Sequence, residues 1–479
     1  MKIIEDKETF NALLVSNKDK ALEMLKDDEG NYLEEVQIGN VNYKIFQHLP
    51  DSLLTELTDE RLPEDSNPPF TNNYAGFVIG SIDFRKGTIK RTNFYWWYFI
   101  DRVNFESADF LNEVNFVYVN FFSDVNFSRA NFSETSFGGA KFLSNGAYDK
   151  VDFSNAEFRK RVSFNNATLK PTVNFEYSKF LGDGYFENAI FERYVSFIYA
   201  KFKGEANFTS AEFMEASFNA TKFDDIANFM YAEFSKELNF YNTIFKDRCY
   251  LEVEHFGHSV DFRGTEVRGA VFIDGAKLCK DDYPAELIVK EKGEKINNKE
   301  TKKNILAVKQ ICNKMAKYED EDHFYYWYKV FDREDRYKGQ DGKLKERKKL
   351  LKYWLWENLF LDKLTRYFTD PVSVFCATAR VFVFFGILYC LPICSIKGPN
   401  GKLLWENLRF SLQHWDNVWL FIEHVGKSFY FNAITFATVG YGDYQPVNFW
   451  AMFFSSIEGV FGVFLMATLV ITLTRKFLR

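Results

Sequence analysis

Apolar residues recur along this chain with two different periods, and the change from one to the other falls near residue 280. Between Phe84 and Leu278 a large apolar residue returns every five or six positions, as in Phe153, Phe158, Phe164, Leu169, Phe175, Phe180, Phe186, Phe191, Phe197, Phe202, Phe208 and Phe213. Two positions before each stands a small or β-branched residue: Ala130, Ala156, Ala189, Ala200, Ala211 and Ala232 in one class, Val151, Val162, Val173 and Val195 in the other. A period of two within each short stretch is strand-like, with both members of the pair on the inner side. A period near five between stretches matches no helix face, so the chain has to turn a corner after every unit. The unit is about eleven residues, V-N-F-x-x-A-x-F, and a repeat of that kind predicts a solenoid.

Outside the repeat the pattern changes. Residues 1–78 read as a small α/β cap, with a helix over 7–26 and a loop containing Pro63, Pro68 and Pro69. A Lys-, Glu- and Asn-rich stretch to about residue 303 reads as a hinge. Residues 304–336 have helical spacing in Ile305, Val308, Ile311 and Met315 and an aromatic cluster in Phe324-Tyr325-Tyr326-Trp327-Tyr328. That segment is expected to pack on the solenoid or on a neighbouring subunit rather than to bind a ligand.

Two uncharged stretches follow, 371–394 with only Arg380 and 448–474 with only Glu458 near its middle. Each has the roughly twenty residues needed to cross about 30 Å of hydrocarbon. Arg380 is expected near enough to one end to snorkel. Glu458 reads either as polar packing against a neighbouring helix or as a proton or ion sensor. Residues 426–437, between the spans, are too few to cross and are expected to enter as a half-helix and return as extended backbone. Non-helical backbone at that depth is tolerated only where it is buried in protein or lines a water- or ion-filled path.

Charge adds orientation. Residues 343–366 hold eight Lys or Arg against three acids, interleaved with Trp354, Leu355, Trp356, Leu359, Phe360, Leu361 and Leu364. The pattern suits an amphipathic helix over 343–370 on an anionic membrane surface, with Lys345, Arg347, Lys348, Lys349 and Lys352 as its interfacial cations. Arg475, Lys476 and Arg479 follow the second span, so the positive-inside tendency places both ends in the cytoplasm. The start, Met1 to Asp6, has acids where a secretory signal needs a basic stretch, and the N-terminal part is expected to stay in the cytoplasm. The net charge of −6 is mild for 479 residues and makes nucleic acid an unexpected partner. Six scattered cysteines and six histidines form no CxxC or HExxH spacing, and are expected to be reduced thiols and packing residues.

With its recurring Phe and small residues, the region 79–280 resembles the pentapeptide-repeat family. The resemblance implies a right-handed four-sided β-helix with Phe or Leu at the centre of each face. Strict members step by five, and the alternating sixth residue here is a departure. At about twenty to twenty-two residues per coil the region makes roughly nine coils, a rod on the order of 40 Å long. Strings such as Asn126-Phe127-Ser128 match a glycosylation acceptor but read as by-products of the repeat.

The segment Thr438-Val439-Gly440-Tyr441-Gly442-Asp443, between the two apolar stretches, resembles the selectivity filter of potassium channels. The resemblance implies an all-α two-span pore domain over 371–479 and an ion held only by backbone carbonyls of Thr438, Val439, Gly440 and Tyr441 with the Thr438 hydroxyl. Asp443 falls at the outer mouth. One chain supplies a quarter of each carbonyl ring, so a homotetramer is implied. By the family pattern Tyr430 supports the residue after the filter, and Ile434 stands where some members carry glutamate. Gly462 falls at the inner-helix hinge, and Gly459, Val463, Met466 and Val470 at cavity or gate positions. No cofactor is expected; K+ is the permeant ion.

The chain thus divides into a cap (1–78), a solenoid (79–280), a linker and helical segment (281–342), an interfacial helix (343–370) and a pore domain (371–479). There is no room for a voltage sensor and no GxGxxG nucleotide loop. Control is left to the solenoid, the linker helices, lipid, or an unknown cytoplasmic ligand or protein. The competing reading is a membrane-anchored repeat scaffold for a protein partner. A DNA mimic is disfavoured, since 24 basic and 27 acidic residues from Ile79 to Lys280 give no single-sign field. An enzyme has no nucleophile-base pair, metal cluster or phosphate loop behind it. The membrane expected is a bacterial inner membrane.

Overall fold

The computed structural model describes residues 2–47, 75–90, 93–146, 148–290, 296–337, 353–404 and 418–477. They form two compact units, Met1–Glu321 and Asp322–Arg479.

In the first unit the repeat is a β-solenoid of about nine turns over residues 77–273. Strands of two or three residues stack in parallel on the same position of the next coil, so Phe110 pairs with Phe132 and Phe158 with Phe180. Sheets of eight, nine and eighteen strands result. The largest covers two faces, joined where strands Ile190–Ser196 and Glu212–Ser217 run unbroken round a corner, which makes the coil four-sided. Inside, rings of successive coils stack: Phe153, Phe175, Phe197 and Phe218 follow one another at centroid distances of 4.9, 4.8 and 5.0 Å. All four are fully buried. Each buried ring contributes about 2 kcal/mol of hydrophobic stabilisation, and stacking adds to it.

The alternation of five and six residues reflects two kinds of corner. In a five-residue step the Phe carbonyl accepts the N–H three residues on, as from Ala156 to Phe153 (3.1 Å) and from Ala200 to Phe197 (2.9 Å). The residue just before that donor has left-handed backbone, φ 57° at both Asn155 and Tyr199, which makes the corner a type II turn. In a six-residue step, such as Phe180 to Phe186, no such bond closes among the described residues, and the extra residue spans a wider bend. The Asn before Phe belongs to the tight corners. Its side-chain oxygen accepts the N–H two residues on, as at Asn126 (from Ser128, 2.9 Å), Asn174 (from Glu176, 2.9 Å) and Asn228 (from Met230, 3.0 Å). Asn recurs before Phe because it closes a turn.

Both ends of the solenoid are covered, which hides strand edges that would otherwise pair with other chains. At the start, strand Val41–Phe46 of the cap pairs with Ala75–Val78, which pairs with Tyr98–Phe99 of the first coil. The helix expected over 7–26 is two helices, Lys7–Ser16 and Lys18–Glu23, because Asn17 breaks the first and caps the second through Lys20 N–H (3.1 Å). Pro63, Pro68 and Pro69 lie outside the described residues. At the far end a helix expected from residue 304 to pack on the solenoid does cover it, but it begins six residues earlier, inside the stretch expected as a hinge. Helix Asn298–Lys314 buries Ile305, Val308 and Ile311, and the fully buried Asn304 carboxamide bonds Phe262 N–H (2.7 Å), the Val260 carbonyl (2.6 Å) and the Leu287 carbonyl (3.1 Å). The expected helix over 304–336 is likewise broken, at Ala316 with φ 54°, and a second helix runs from Tyr318 to Tyr337.

The second unit is helical. Among the described residues, two helices, Pro371–Cys390 and Phe449–Phe477, are long and apolar enough to cross a membrane. The first starts at Asp370, whose carboxylate accepts the N–H of Val372 (3.0 Å) and Ser373 (3.2 Å), with Pro371 in the first turn. It ends four residues short of the expected Cys394. Between the spans lies helix Val418–Phe436, which starts eight residues before the expected boundary at Gly426 and is about 28 Å long. Length therefore does not exclude it from crossing; Glu423, His424 and Lys427 in its first half do that more directly. Lys345, Arg347, Lys348, Lys349 and Lys352 lie outside the described residues. The described end of the expected interfacial helix is not a uniform amphipathic helix: Glu357–Leu364 is π-helical, and Glu357 is buried by an ion pair. The charge pattern missed this because it assigned every charge to the membrane surface.

Candidate functional site

Helix Val418–Phe436 ends where Thr438 N–H reaches the Thr435 carbonyl (3.0 Å) and Val439 N–H the Ile434 carbonyl (2.9 Å). From there the backbone is non-helical. Left-handed φ recurs at every second residue, 53° at Thr438, 58° at Gly440 and 79° at Gly442. Successive carbonyls of an extended strand point to opposite sides, and a left-handed residue at alternate positions rotates them toward one side. Open space surrounds the position of an added Cβ at Gly440 and Gly442, so backbone angle rather than crowding requires glycine there. Thr438 adopts the same angle with a side chain, and its hydroxyl bonds the Ala437 carbonyl (2.7 Å). Val439 and Tyr441 are exposed, Tyr441 at 73%. The C-terminal, partly negative end of the preceding helix points into this loop.

Two groups hold the loop's outer end. Tyr430 donates its hydroxyl to Asp443 (3.0 Å), and its ring lies 5.5 Å from that of Tyr444. Beyond it, Gln445–Pro446 pairs with Ile396–Lys397, and Asn448 bonds the Ile393 carbonyl (2.7 Å), which ties the return strand to the end of the first span. Behind the loop a cluster of Phe385, Tyr389, Phe431, Ile434 and Ala451 fills the space between the three helices. Ile434 sits in that apolar packing.

The positions expected at a hinge or cavity separate into two sets. Gly462 is buried, and a Cβ there would lie 2.1 Å from the Phe436 carbonyl, so the glycine is where the second span touches the short helix. Gly459 is next to the same helix with more room, 4.0 Å from the Thr435 carbonyl. Val463, Met466 and Val470 are exposed, and at four, seven and eleven residues after Gly459 they continue its stripe along the helix. Arg380 departs from expectation. It is exposed about 14 Å from the start of its helix, near the middle and beyond simple snorkelling reach, because the helix ends at Cys390.

Three contacts have partners that the residue pattern did not name, although packing of Glu458 against a neighbouring helix was one of its two readings. Glu458 is fully buried, with one carboxylate oxygen accepting from Tyr389 of the first span (2.6 Å). His424, also buried, sets one ring nitrogen against the Leu404 carbonyl (2.8 Å) and the other against the Cys390 carbonyl (3.0 Å). Asn432 donates to the Phe382 carbonyl (3.0 Å). Each fixes the short helix or the second span to the first span, and none lies at a spacing that announces its partner.

Residues 404–479 match the model of a family described as Ion channel. The chain carries an ion channel domain. Residues 148–190 match a second model, described as Pentapeptide repeats (9 copies), so the channel domain is joined to a repeat domain in one membrane protein. The loop Thr438–Asp443, Tyr430, Glu458 and Gly462 all fall inside the channel match, whereas the first span precedes it. The match points to transport rather than catalysis, and to an oligomeric assembly in the membrane. No curated protein and no solved structure matches the chain.

Proposed function

We propose that the chain is one subunit of a homotetrameric potassium-selective channel that conducts through Thr438, Val439, Gly440, Tyr441, Gly442 and Asp443. The observation that carries this reading is the loop itself: left-handed backbone at Thr438, Gly440 and Gly442, directly after a helix C-terminus. Such a backbone offers a row of carbonyls that replaces the hydration shell of a K+ ion, and four copies close each ring. No cofactor takes part; K+ is cargo. Val463, Met466 and Val470 face the inner cavity in the assembly, and Tyr430 holds the outer mouth through Asp443.

Both termini and the solenoid lie in the cytoplasm of a bacterial cell whose inner membrane holds the spans. The basic residues 345–352 meet anionic lipid there. The solenoid gates or scaffolds the pore in response to a cytoplasmic ligand or protein. A scaffold that merely uses the spans as an anchor would have no use for the filter loop or its Tyr430–Asp443 support.

Reconstituted protein in potassium-loaded vesicles is expected to pass K+ far faster than Na+, and Gly440→Ala is expected to abolish that preference. Equal permeation of the two ions, or a preference untouched by Gly440→Ala, would overturn the reading.

A further inference from the structure

The ends of the two spans away from the filter loop are both held by one helix, Tyr318–Tyr337. In the last turn of the second span, Arg475 pairs with Asp322 and lies over the Tyr325 ring at 4.9 Å. Asp322 and Tyr325 are three residues apart and share a face of the helix. The pair is largely removed from water, with side-chain exposures of 22% and 18%, unlike the solvated ion pairs that contribute little.

Two turns on, the same helix grips the approach to the first span. Arg333 donates to Asp362 (2.6 Å) and Arg336 to Glu357 (2.8 Å), while Tyr326 also donates to Asp362 (2.9 Å) and Tyr367 to Glu357 (3.3 Å). Glu357 and Asp362 stand on the π-helical turn Glu357–Leu364. Three consecutive residues with left-handed backbone follow, Arg366, Tyr367 and Phe368 at φ 42°, 52° and 63°, before the span begins at Pro371. Backbone of this kind is sparsely populated and persists only where its surroundings hold it. The boundary between the two compact units falls inside this helix, between Glu321 and Asp322.

We propose that Asp322, Tyr325 and Arg475 form a latch that sets the position of the pore-lining helix end, and that helix Tyr318–Tyr337 is the coupling element between that end and the start of the first span. None of the three touches an ion; they are positioning residues. With the latch made, the end of the second span is held against the coupling helix. With it broken, that end is free to move, and the balance between conducting and non-conducting states shifts. The inference rests on the reading of Thr438–Asp443 as the conducting filter.

Single-channel recording of the reconstituted full chain tests it. Asp322→Asn and Arg475→Gln are each expected to change open probability at least about fivefold in the same direction. The exchanged pair Asp322→Arg/Arg475→Asp is expected to return it toward wild type. Tyr325→Phe, which keeps the ring face, is expected to resemble wild type, and Tyr325→Ala the broken latch. Unitary conductance and the K+/Na+ preference stay unchanged in all of them, since the filter is untouched. Hydrogen exchange at residues 472–477 is expected to accelerate in Asp322→Asn whether or not current is recorded. Unaltered open probability and unaltered exchange in both single variants, or a shift that the exchanged pair deepens, would overturn the latch. A wild type that passes no current would instead sink the pore reading, with the exchange measurement still deciding whether the latch holds the helix end.

Discussion

Tyr389 of the first span donates its hydroxyl to Glu458 of the second across 2.6 Å, while the other Glu458 carboxylate oxygen finds no hydrogen-bond partner among the described residues. A carboxyl group placed in an apolar cluster with one bond is not fully repaid for its desolvation, so the surrounding packing has to offset the rest. The bond also joins the two spans directly behind Phe431, whose ring lies 5.0 Å from that of Tyr389.

The pair yields a comparison of variants. Tyr389→Phe removes the donor and leaves a buried carboxyl group with no partner, which is expected to cost about 1–3 kcal/mol. Replacing both, Tyr389→Phe with Glu458→Leu, removes the polar group as well and is expected to cost less than the single change. Thermal unfolding of the detergent-solubilised protein reads the order. A double variant less stable than Tyr389→Phe alone would show that Glu458 has another stabilising partner.

The two glycines of the second span are expected to respond differently to the same substitution. Gly462→Ala puts a methyl group 2.1 Å from a backbone oxygen at Phe436, so the two helices have to separate. Gly459→Ala meets only an ordinary contact at 4.0 Å and, by helix propensity, gains up to about 1 kcal/mol. Loss of assembly or of flux in Gly462→Ala, with both retained in Gly459→Ala, is the expected result. Equal tolerance would mean that the Phe436 contact is not kept in the assembled protein.

Much of the fold was legible because its causes are local. A Phe two residues after a small residue specifies a strand pair, and its return every five or six positions specifies the corners. The two apolar spans are each contiguous in sequence, and length and residue type suffice for them. What was not legible depends on partners far apart in sequence. Nothing near Asp322 indicates Arg475, and nothing near Tyr389 indicates Glu458. The described end of the expected interfacial helix departs from a uniform amphipathic pattern for the same reason, since Glu357 and Asp362 read as surface charges until Arg336 and Arg333 are placed beside them. The hinge expected up to about residue 303 is in its described part ordered by Leu287 and Thr301, both fully buried, and a polar composition gives no sign that Thr301 will accept the Val289 N–H.

The tight corners of the solenoid offer a stability test away from the membrane. Ala220 carries a side chain at φ 54°, a conformation costing roughly 1 kcal/mol that glycine avoids. Ala220→Gly is therefore expected to be neutral or stabilising by a few tenths to 1 kcal/mol, despite glycine's larger entropy loss on folding. Asn174→Ala, which deletes the bond to Glu176 N–H, is expected to destabilise by about 1 kcal/mol. Denaturant melts followed by far-ultraviolet circular dichroism distinguish the two signs.

Around the coupling helix, alkaline pH is expected to weaken packing. Burial, and then the charge of Asp362, push the Tyr326 hydroxyl up from 10.0 to about 12. The folded form thus favours the neutral phenol. Its contribution is fully present below pH 10 and is lost as pH rises toward 12. Tyrosinate absorbance at 295 nm, compared between wild type and Tyr326→Phe, is expected to show one tyrosine titrating above the ordinary range. Titration of that residue near pH 10 would mean that the Asp362 contact is open in solution.

Tyr430 and Asp443 give the last prediction, because they connect packing to selectivity. Within one chain the loop Thr438–Asp443, the proposed filter, has few contacts: space around Gly440 and Gly442 is open, and Val439 and Tyr441 are exposed. Whatever neighbouring copies add, each chain fixes its own row of carbonyls through the ends of the loop. The inner end is fixed by the helix at Thr438 and Val439, and the outer end by Tyr430 on that same helix through Asp443. Tyr430→Phe removes the hydroxyl while keeping the ring against Tyr444, so any change reports the bond and not the packing. A loosened outer end lets the carbonyl row relax around a smaller ion, and the K+/Na+ permeability ratio is expected to fall several-fold with little change in protein yield. Asp443→Asn keeps an acceptor for the hydroxyl and is expected to fall less. Reversal potentials under bi-ionic conditions measure both. If Tyr430→Phe keeps the wild-type ratio while Asp443→Asn loses it, the carboxylate acts on the permeating ion by its charge, and the tyrosine is not what holds the filter.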